Sequence, residues 1–167
     1  CYIIAEAGVN HNGSDELALQ LVEAAAKSGA DAVKFQTFKT ENLVSQEAKT
    51  AEYQKLQTGE DSQFNMLKKL EISEELHIKL IAKCEQLNIE FLSTPFDIEL
   101  AKYLLDLGMK RIKIPSGELT NIPFIEKLAD FDVPMIMSTG MSSLEEVKDA
   151  VDSIRRVRQG QNFDRPL

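Results

Sequence analysis

Short apolar runs recur along this chain, and each is followed by polar residues that are capable of chemistry. A stretch with the apolar periodicity of an amphipathic helix comes after each of the five runs. The pattern predicts five strands, with the bounds 2–6, 32–36, 89–93, 111–114 and 133–138. Because strands that alternate with helices form parallel sheets, this order predicts an α/β fold.

In a closed parallel barrel, the carboxyl ends of all strands face one mouth, where the active site lies. The alternation therefore predicts a TIM-type (β/α)8 barrel, of which this chain supplies about five β-α units. We expect 1–167 to be the first part of a single barrel domain, whose remaining strands lie beyond Leu167. The chain opens with Cys1 inside a strand, so we also expect its natural start to be missing.

Bulk composition excludes several classes of function. The formal net charge of −8 argues against a nucleic-acid binder, which needs a basic face. No apolar run approaches the roughly 18 residues of a membrane span. The two cysteines have neither a disulfide framework nor metal-ligand spacing, and Cys84 lies on the apolar face of a predicted helix. This sparse use of cysteine favours a cytoplasmic location.

Helix boundaries are marked by capping residues. N-caps are predicted at four residues, namely Ser14, Ser73, Asp97 and Asn121. A capping box is formed either by Ser142 with Glu145 or by Ser143 with Glu146. The polar stretch 37–72 is long for a connection, which indicates a functional or disordered segment, and part of it, 63–70, could be a short helix.

Two lysines lie inside predicted strands. Lys34 and Lys113 would be costly to bury unpaired, so each should reach a carboxylate, a bound anion or solvent. The structural alternative is a lysine that extends from an edge strand into solvent, or an ion pair with Glu6 or Glu118. Because both lysines precede polar clusters, the pattern favours a binding role for an anionic ligand.

Carboxylates and hydroxyls supply the remaining chemistry. Glu6 and Glu118 lie at predicted strand ends, where either could act as general acid or base if burial or a neighbour tunes its pKa. Four hydroxyl residues could bind phosphate or carboxylate oxygens, namely Thr94, Ser116, Ser138 and Thr139. His11 lies in the loop after the first strand, where contact with substrate and a loop-structuring role are equally compatible with the sequence. His77 is predicted at the edge of the core.

Five segments together resemble the sialic acid synthase family, which includes N-acetylneuraminate, legionaminic and pseudaminic acid synthases. They occur in the family's order and spacing and cover nearly the whole chain. The segments are 4–13 (IAEAGVNHNG), 34–37 (KFQT), 93–96 (STPF), 113–118 (KIPSGE) and 138–141 (STGM).

The resemblance implies an enzyme that condenses phosphoenolpyruvate with an N-acylated amino-hexose and releases phosphate. It implies that five residues hold phosphoenolpyruvate, namely Lys34, Thr94, Lys113, Ser116 and Ser138. Gln36 and Glu118 would face the sugar and the reacting carbon, and Glu6 would lie in the same mouth. The catalytic candidates are therefore Glu118, Glu6 and Lys113.

The resemblance also implies parts that this chain lacks. It implies a divalent metal, manganese or magnesium, whose ligands would lie outside this chain. It also implies a homodimer, in which a small C-terminal antifreeze-like domain reaches the site of the partner subunit. We accordingly expect these residues alone to be inactive and prone to associate. Two alternatives stay open: a 3-deoxy-keto-acid synthase that uses a sugar phosphate, and an inactive truncated barrel that acts as an assembly module.

Overall fold

A computed structural model describes residues 1–45 and 62–159 of the chain. The strands are β1 Ile4–Gly8, β2 Ala32–Thr37, β3 Glu90–Pro95, β4 Ile112–Ile114 and β5 Met135–Met137. The helices are α1 Asp15–Lys27, α2 Thr40–Leu43, α3 Gln63–Lys68, α4 Glu74–Gln86, α5 Ile98–Asp106, α6 Ile122–Ala129 and α7 Leu144–Gln159. A 3-10 turn, Ser116–Glu118, follows β4. All five predicted strands are present.

The strands form two sheets. One contains β1, β2 and β3 in that order, and the other contains β4 and β5. β1 runs parallel to β2, and β4 runs parallel to β5, which confirms the prediction of parallel pairing. The register of β1 shifts between Glu6 and Gly8, where one extra residue on β1 makes a β-bulge. The prediction that β1 ends at Glu6 is therefore wrong, because pairing resumes at Gly8 after the bulge.

Helix starts follow the predicted capping residues. The side chains of Ser14, Ser73 and Asp97 accept hydrogen bonds from the backbone N–H groups of the helices that they begin. Of the two possible capping boxes, the structure contains that of Ser143 and Glu146, in which each side chain accepts from the other's backbone N–H. These bonds satisfy donors that the first helical turn leaves open.

The chain divides into two compact units, and the first is Cys1–Phe91. Within it α1 packs against α4, and ion pairs join these helices at their surfaces: Asp15 with Lys79, and Glu23 with Lys83. The core includes Val22, Phe35 and Leu80, which are fully buried. Burial raises the pKa of the Cys84 thiol to about 12, so this cysteine is an inert core residue, as predicted.

Hydrogen bonds tie the amino ends of the first unit's strands together. Asp31, just before β2, is the hub of this amino-end cluster. Its carboxylate accepts from the backbone N–H of Ile3 at 2.6 Å, and its own N–H donates to the Ile3 carbonyl at 2.8 Å. The Asp31 carbonyl accepts from the N–H of Glu90, the first residue of β3, at 2.9 Å.

The second unit is Leu92–Leu167. Its core is built from aliphatic side chains of β4, α5, α6 and α7, including the buried Ile112, Leu104, Leu128 and Ile154. α6 packs against α7, and Glu126 and Arg156 form an ion pair between them. The prediction that β5 extends over 133–138 is too long, because only Met135–Met137 pair as a strand.

The predicted long connection contains more regular structure than the sequence suggests. Thr40–Leu43 is one helical turn, and Gln63–Lys68 confirms most of the short helix predicted at 63–70. The rest of the predicted loop, 46–61, lies outside the described residues. No helix in the described ranges, 1–45 and 62–159, is both long and apolar enough to cross a bilayer.

Candidate functional site

In the first unit, the candidate residues of β1 and β2 meet as an ion pair. Glu6 and Lys34 occupy paired positions in the two strands, and a Glu6 carboxylate oxygen lies 2.5 Å from Lys34 Nζ. The lysine side chain is only 8% exposed, whereas the glutamate side chain is 56% exposed. The buried ammonium is therefore covered by a carboxylate that water can reach, and this pair is the structural alternative that the sequence left open for Lys34.

The bulge in β1 places Gly8 between two polar side chains. Gly8 has φ +54°, and a Cβ on it would lie 3.3 Å from Glu6 Oε1 and 3.7 Å from Gln36 Nε2. Both the backbone conformation and the limited space thus favour glycine. Glu6, Lys34 and Gln36 form a polar group around this bulge, which we call the β1–β2 cluster.

His11 lies inside the loop that follows β1 and is fully buried. Its Nδ1 accepts a hydrogen bond from the Gly13 N–H at 3.2 Å, and its ring packs near that of Phe35. Burial lowers the pKa of this imidazole, so the neutral form is favoured. Among the described residues, Nε2 has no hydrogen-bond partner. The sequence left two roles open for His11, and these contacts support the loop-structuring one.

His77 is buried rather than at the edge of the core, where the sequence placed it. Only 1% of the residue is exposed. Nε2 lies 2.8 Å from the hydroxyl of Thr37, the last residue of β2, and Nδ1 lies 3.0 Å from the Ser73 carbonyl oxygen. Desolvation lowers the pKa of His77 to about 4, which makes the ring neutral near pH 7.

In the second unit, Lys113 and Ser138 meet at one backbone carbonyl. The Ile114 oxygen accepts from Lys113 Nζ at 3.0 Å and from the Ser138 N–H at 3.1 Å. Both residues are half-buried. The Lys113 ammonium is thus held beside Ser138, and this arrangement is suited to binding an anion.

Ser116 and Gly140 approach each other in the loops that follow β4 and β5. A Cβ on Gly140 would lie 3.6 Å from Ser116 Oγ, whereas nothing lies within 4 Å of a Cβ on Gly117. Thr139 is exposed beside Gly140. The carboxyl ends of β4 and β5 therefore carry an ammonium, hydroxyls and accessible backbone, as the sequence predicted for this part of the chain.

Glu118 closes the 3-10 turn and is held by a neighbour. The Asn121 side-chain amide donates to its carboxylate at 2.7 Å, while Asn121 Oδ1 accepts from the Phe124 N–H and so caps α6. Because Oδ1 is used by the helix cap, the NH₂ group of Asn121 is the end that faces Glu118. One residue therefore both starts a helix and orients a candidate catalytic carboxylate.

Thr94 lies in β3 and is 2% exposed, so the hydroxyl predicted to bind an anion is buried. Its assignment stays a prediction. Across residues 1–45 and 62–159, no group of three or more His, Cys, Asp or Glu residues could hold a metal ion. The predicted divalent metal, with ligands outside the chain, is not tested by this structure.

Comparison with known proteins identifies the family. The sequence profile of the NeuB family matches residues 21–163. The chain belongs to the NeuB family. This membership confirms the resemblance to sialic acid synthases that the five ordered segments indicated.

Two relatives of this NeuB family chain are named as legionaminic acid synthases. An N,N'-diacetyllegionaminic acid synthase from Legionella pneumophila is 54% identical, over 93% of this chain and 44% of its own length. A protein with the same name from Campylobacter jejuni is 51% identical, over 90% of this chain and 45% of its own length. The chain thus spans less than half the length of these relatives.

A solved structure confirms the fold. The N-acetylneuraminic acid (sialic acid) synthetase of Leptospira borgpetersenii, determined in complex with citrate, superposes with a TM-score of 0.79 at 31% identity. The match covers 94% of this NeuB chain and 50% of that one. The prediction of an α/β fold corresponding to a truncated TIM-type barrel is therefore correct.

Two features of this site were missed from the sequence. Gly8 was not recognised as part of the cluster, although a glycine two residues after Glu6 in a strand pattern is a signal for a bulge. The link between Thr37 and His77 joins residues 40 positions apart, and no local spacing signals it.

Proposed function

We propose that this chain is part of an enzyme that condenses phosphoenolpyruvate with an N-acylated amino-hexose to a nine-carbon 2-keto acid, releasing phosphate. The observation that carries the proposal is the 54% identity, over 93% of the chain, to a protein named as a synthase of such an acid. The candidate residues of both units support it, because they supply the cations and hydroxyls that a small polyanion needs.

The proposed reaction balances without an external oxidant or reductant. C3 of phosphoenolpyruvate forms a bond to the aldehyde carbon of the open-chain sugar, whose oxygen takes up a proton. Water adds at C2, and the C2–O bond to phosphate then breaks to leave the 2-keto group. A carboxylate that removes a proton from the attacking water would assist this step.

Residues of the second unit are proposed to hold phosphoenolpyruvate. Lys113, on the Ile114 carbonyl, would bind a phosphate or carboxylate oxygen with its ammonium, and Ser116 and Ser138 would add hydroxyl donors. Thr94 is proposed for the same group. Lys113 is also proposed as catalytic, because a cation near the phosphate would stabilise charge on the leaving group.

Carboxylates are proposed to act at the reacting carbons. Glu118 is the proposed base for the attacking water, with its orientation set by Asn121. Glu6 is the alternative base, and its carboxylate already covers the Lys34 ammonium. In the β1–β2 cluster, Lys34 would exchange or share this carboxylate with a bound anion, and Gln36 would face the sugar.

The names of the relatives narrow the proposed acceptor. A synthase of N,N'-diacetyllegionaminic acid makes a product with two acetylated amino groups. Neither group arises from phosphoenolpyruvate, so both must come from the acceptor. We therefore propose a hexose that carries two acetamido groups as the acceptor for this enzyme, in biosynthesis of a carbohydrate such as a cell-surface polysaccharide.

Partners outside this chain complete the proposal. A manganese or magnesium ion, with ligands outside this chain, is proposed as the cofactor of the complete enzyme. When bound, such an ion would polarise the aldehyde carbonyl. A homodimer and a cytoplasmic location stay predictions, and the residue roles proposed above depend on neither.

Phosphate release by the complete gene product tests the proposal. Phosphoenolpyruvate would be supplied with one of three acceptors: a diacetamido-hexose, N-acetylmannosamine, or a phosphorylated sugar without nitrogen. We expect the highest kcat/KM with the first. Preference for the sugar phosphate would instead support a 3-deoxy-keto-acid synthase, and no release with any acceptor would support an assembly module.

A further inference from the structure

A chain of two hydrogen bonds, one buried and one partly buried, connects the carboxyl end of β2 to the start of α4. Thr37 is the last residue of β2 and is 3% exposed. Its hydroxyl meets His77 Nε2, and His77 Nδ1 meets the carbonyl of Ser73, the N-cap of α4. We call these three residues the β2 anchor.

The direction of each bond in the β2 anchor follows from the chemistry of its atoms. A carbonyl oxygen only accepts hydrogen bonds, so the proton must lie on His77 Nδ1. Since the buried ring is neutral near pH 7, Nε2 carries a lone pair and accepts from the Thr37 hydroxyl. The tautomer and the orientation of the threonine hydroxyl are therefore both defined.

Aromatic packing holds the histidine ring in place. The rings of His77 and Phe91 form a T-shaped pair, with centroids 6.4 Å apart and an angle of 87° between the planes. Phe91 in turn stacks on Phe35 of β2, at 6.2 Å and 22°. The imidazole thus has little freedom to leave the Thr37 hydroxyl.

Strand geometry relates the anchor to the β1–β2 cluster. Successive side chains of a strand point to opposite faces, so Phe35 and Thr37 share one face while Lys34 and Gln36 share the other. Gln36 precedes the anchored residue directly, and Lys34 lies three positions before it. A fixed backbone at Thr37 therefore limits how the two polar side chains on the opposite face can be placed.

We propose that His77 is a positioning residue for this site, which acts through Thr37 to fix Lys34 and Gln36 for substrate binding. The proposal rests on the function proposed above, and it assigns a role to a side chain that points away from the cluster it serves. Loss of the β2 anchor should change KM and not kcat, because none of its residues contacts a reacting atom.

Matched substitutions separate the two bonds of His77. In His77→Asn, the amide nitrogen can replace Nδ1 and keep the Ser73 bond, but no atom replaces Nε2. In His77→Gln, the amide oxygen can replace Nε2 as acceptor for Thr37, and the Ser73 bond is lost. Thr37→Val removes the hydroxyl with little change of shape and keeps a residue that suits a strand.

The variants are tested by kinetics in the complete gene product. We expect His77→Asn and Thr37→Val each to raise the KM for phosphoenolpyruvate and acceptor about five- to tenfold, as expected for one lost hydrogen bond. kcat should change less than twofold, and His77→Gln should restore most of the KM. The double variant should be no worse than either single one, because both remove the same bond. A wild-type KM in Thr37→Val would overturn the proposal.

A second measurement tests the β2 anchor without an activity assay. The side-chain amide signal of Gln36, observed by NMR in labelled protein, should shift in Thr37→Val and His77→Asn and stay near its wild-type position in His77→Gln. An unmoved signal in the first two variants would refute the β2 anchor. A moved signal in a protein that releases no phosphate would support the anchor while rejecting the proposed function.

Discussion

Replacement of Gly13 by alanine tests the close approach between the loop after β1 and the end of α3. Gly13 has φ +78°, and a Cβ on it would lie 2.5 Å from the backbone carbonyl oxygen of Lys69. Real Cβ atoms do not come this close to an oxygen, so the backbone on one side must move. Gly29 is a matched control, because it has φ +79° and nothing within 4 Å of the added Cβ.

The two substitutions share every cost except the clash. Placing an L-residue in the left-handed region costs about 1–2 kcal/mol at either position. The gain from a less flexible unfolded chain, about 0.4–1 kcal/mol, is also common to both and cancels in the comparison. Gly13→Ala adds an overpacking cost of about 1–3 kcal/mol. We therefore expect its free energy of unfolding to be lower than that of Gly29→Ala by about 1–3 kcal/mol.

Urea denaturation of the complete gene product measures this difference. Circular dichroism at the helix signal is a suitable probe, because it follows the loss of the helices directly. With a slope of about 2 kcal/mol per molar urea, a difference of about 2 kcal/mol separates the midpoints by about 1 M. Equal midpoints for Gly13→Ala and Gly29→Ala would show that the Lys69 carbonyl imposes no constraint, and the described contact would then be wrong.

Three further predictions concern the proposed site and its charge. Lys113→Ala should weaken phosphoenolpyruvate binding by about 1.5–3 kcal/mol, seen as a KM that rises more for this substrate than for the sugar. Unchanged kinetics for phosphoenolpyruvate would reject its role. Glu118→Gln should lower kcat about 10²–10⁴-fold with folding intact, and near-normal turnover would move the base to Glu6 or beyond this chain. Because the pKa of His77 is lowered from 6.5 to about 4, the unfolded state binds the extra proton. The contribution of His77 to the free energy of unfolding is complete above pH 6.5 and declines by about 3 kcal/mol as the pH falls toward 4. Denaturation curves of His77→Gln should lack this dependence on pH.

The helix starts of this fold could be predicted because their signals lie in neighbouring residues. The N-cap at Ser73 and the capping box at Ser143 depend on residues three or four positions away, and both are present. The end of β1 was predicted wrongly at Glu6. The bulge there depends on the register with β2, which the sequence of β1 does not contain.

The candidate site was predictable in residue type but not in geometry. A lysine inside a strand requires a partner, and the sequence correctly named Glu6 as one possibility for Lys34. It did not show that Lys113 lies on the Ile114 carbonyl, since any nearby acceptor would satisfy the same requirement. His77 was placed at the edge of the core because its partner, Thr37, is brought to it only by tertiary packing.

The amino-end cluster around Asp31 holds the end of the strands that carries no candidate site residue. Its bonds to Ile3 and Glu90 hold the strands of the first unit from the edge opposite the β1–β2 cluster. A substitution at Glu6 or Gln36 therefore leaves these amino-end bonds in place, even though it removes a contact of the β1–β2 cluster. The strands of the first unit are thus held at one end and carry their polar side chains at the other, so support and chemistry are separated along the same strands.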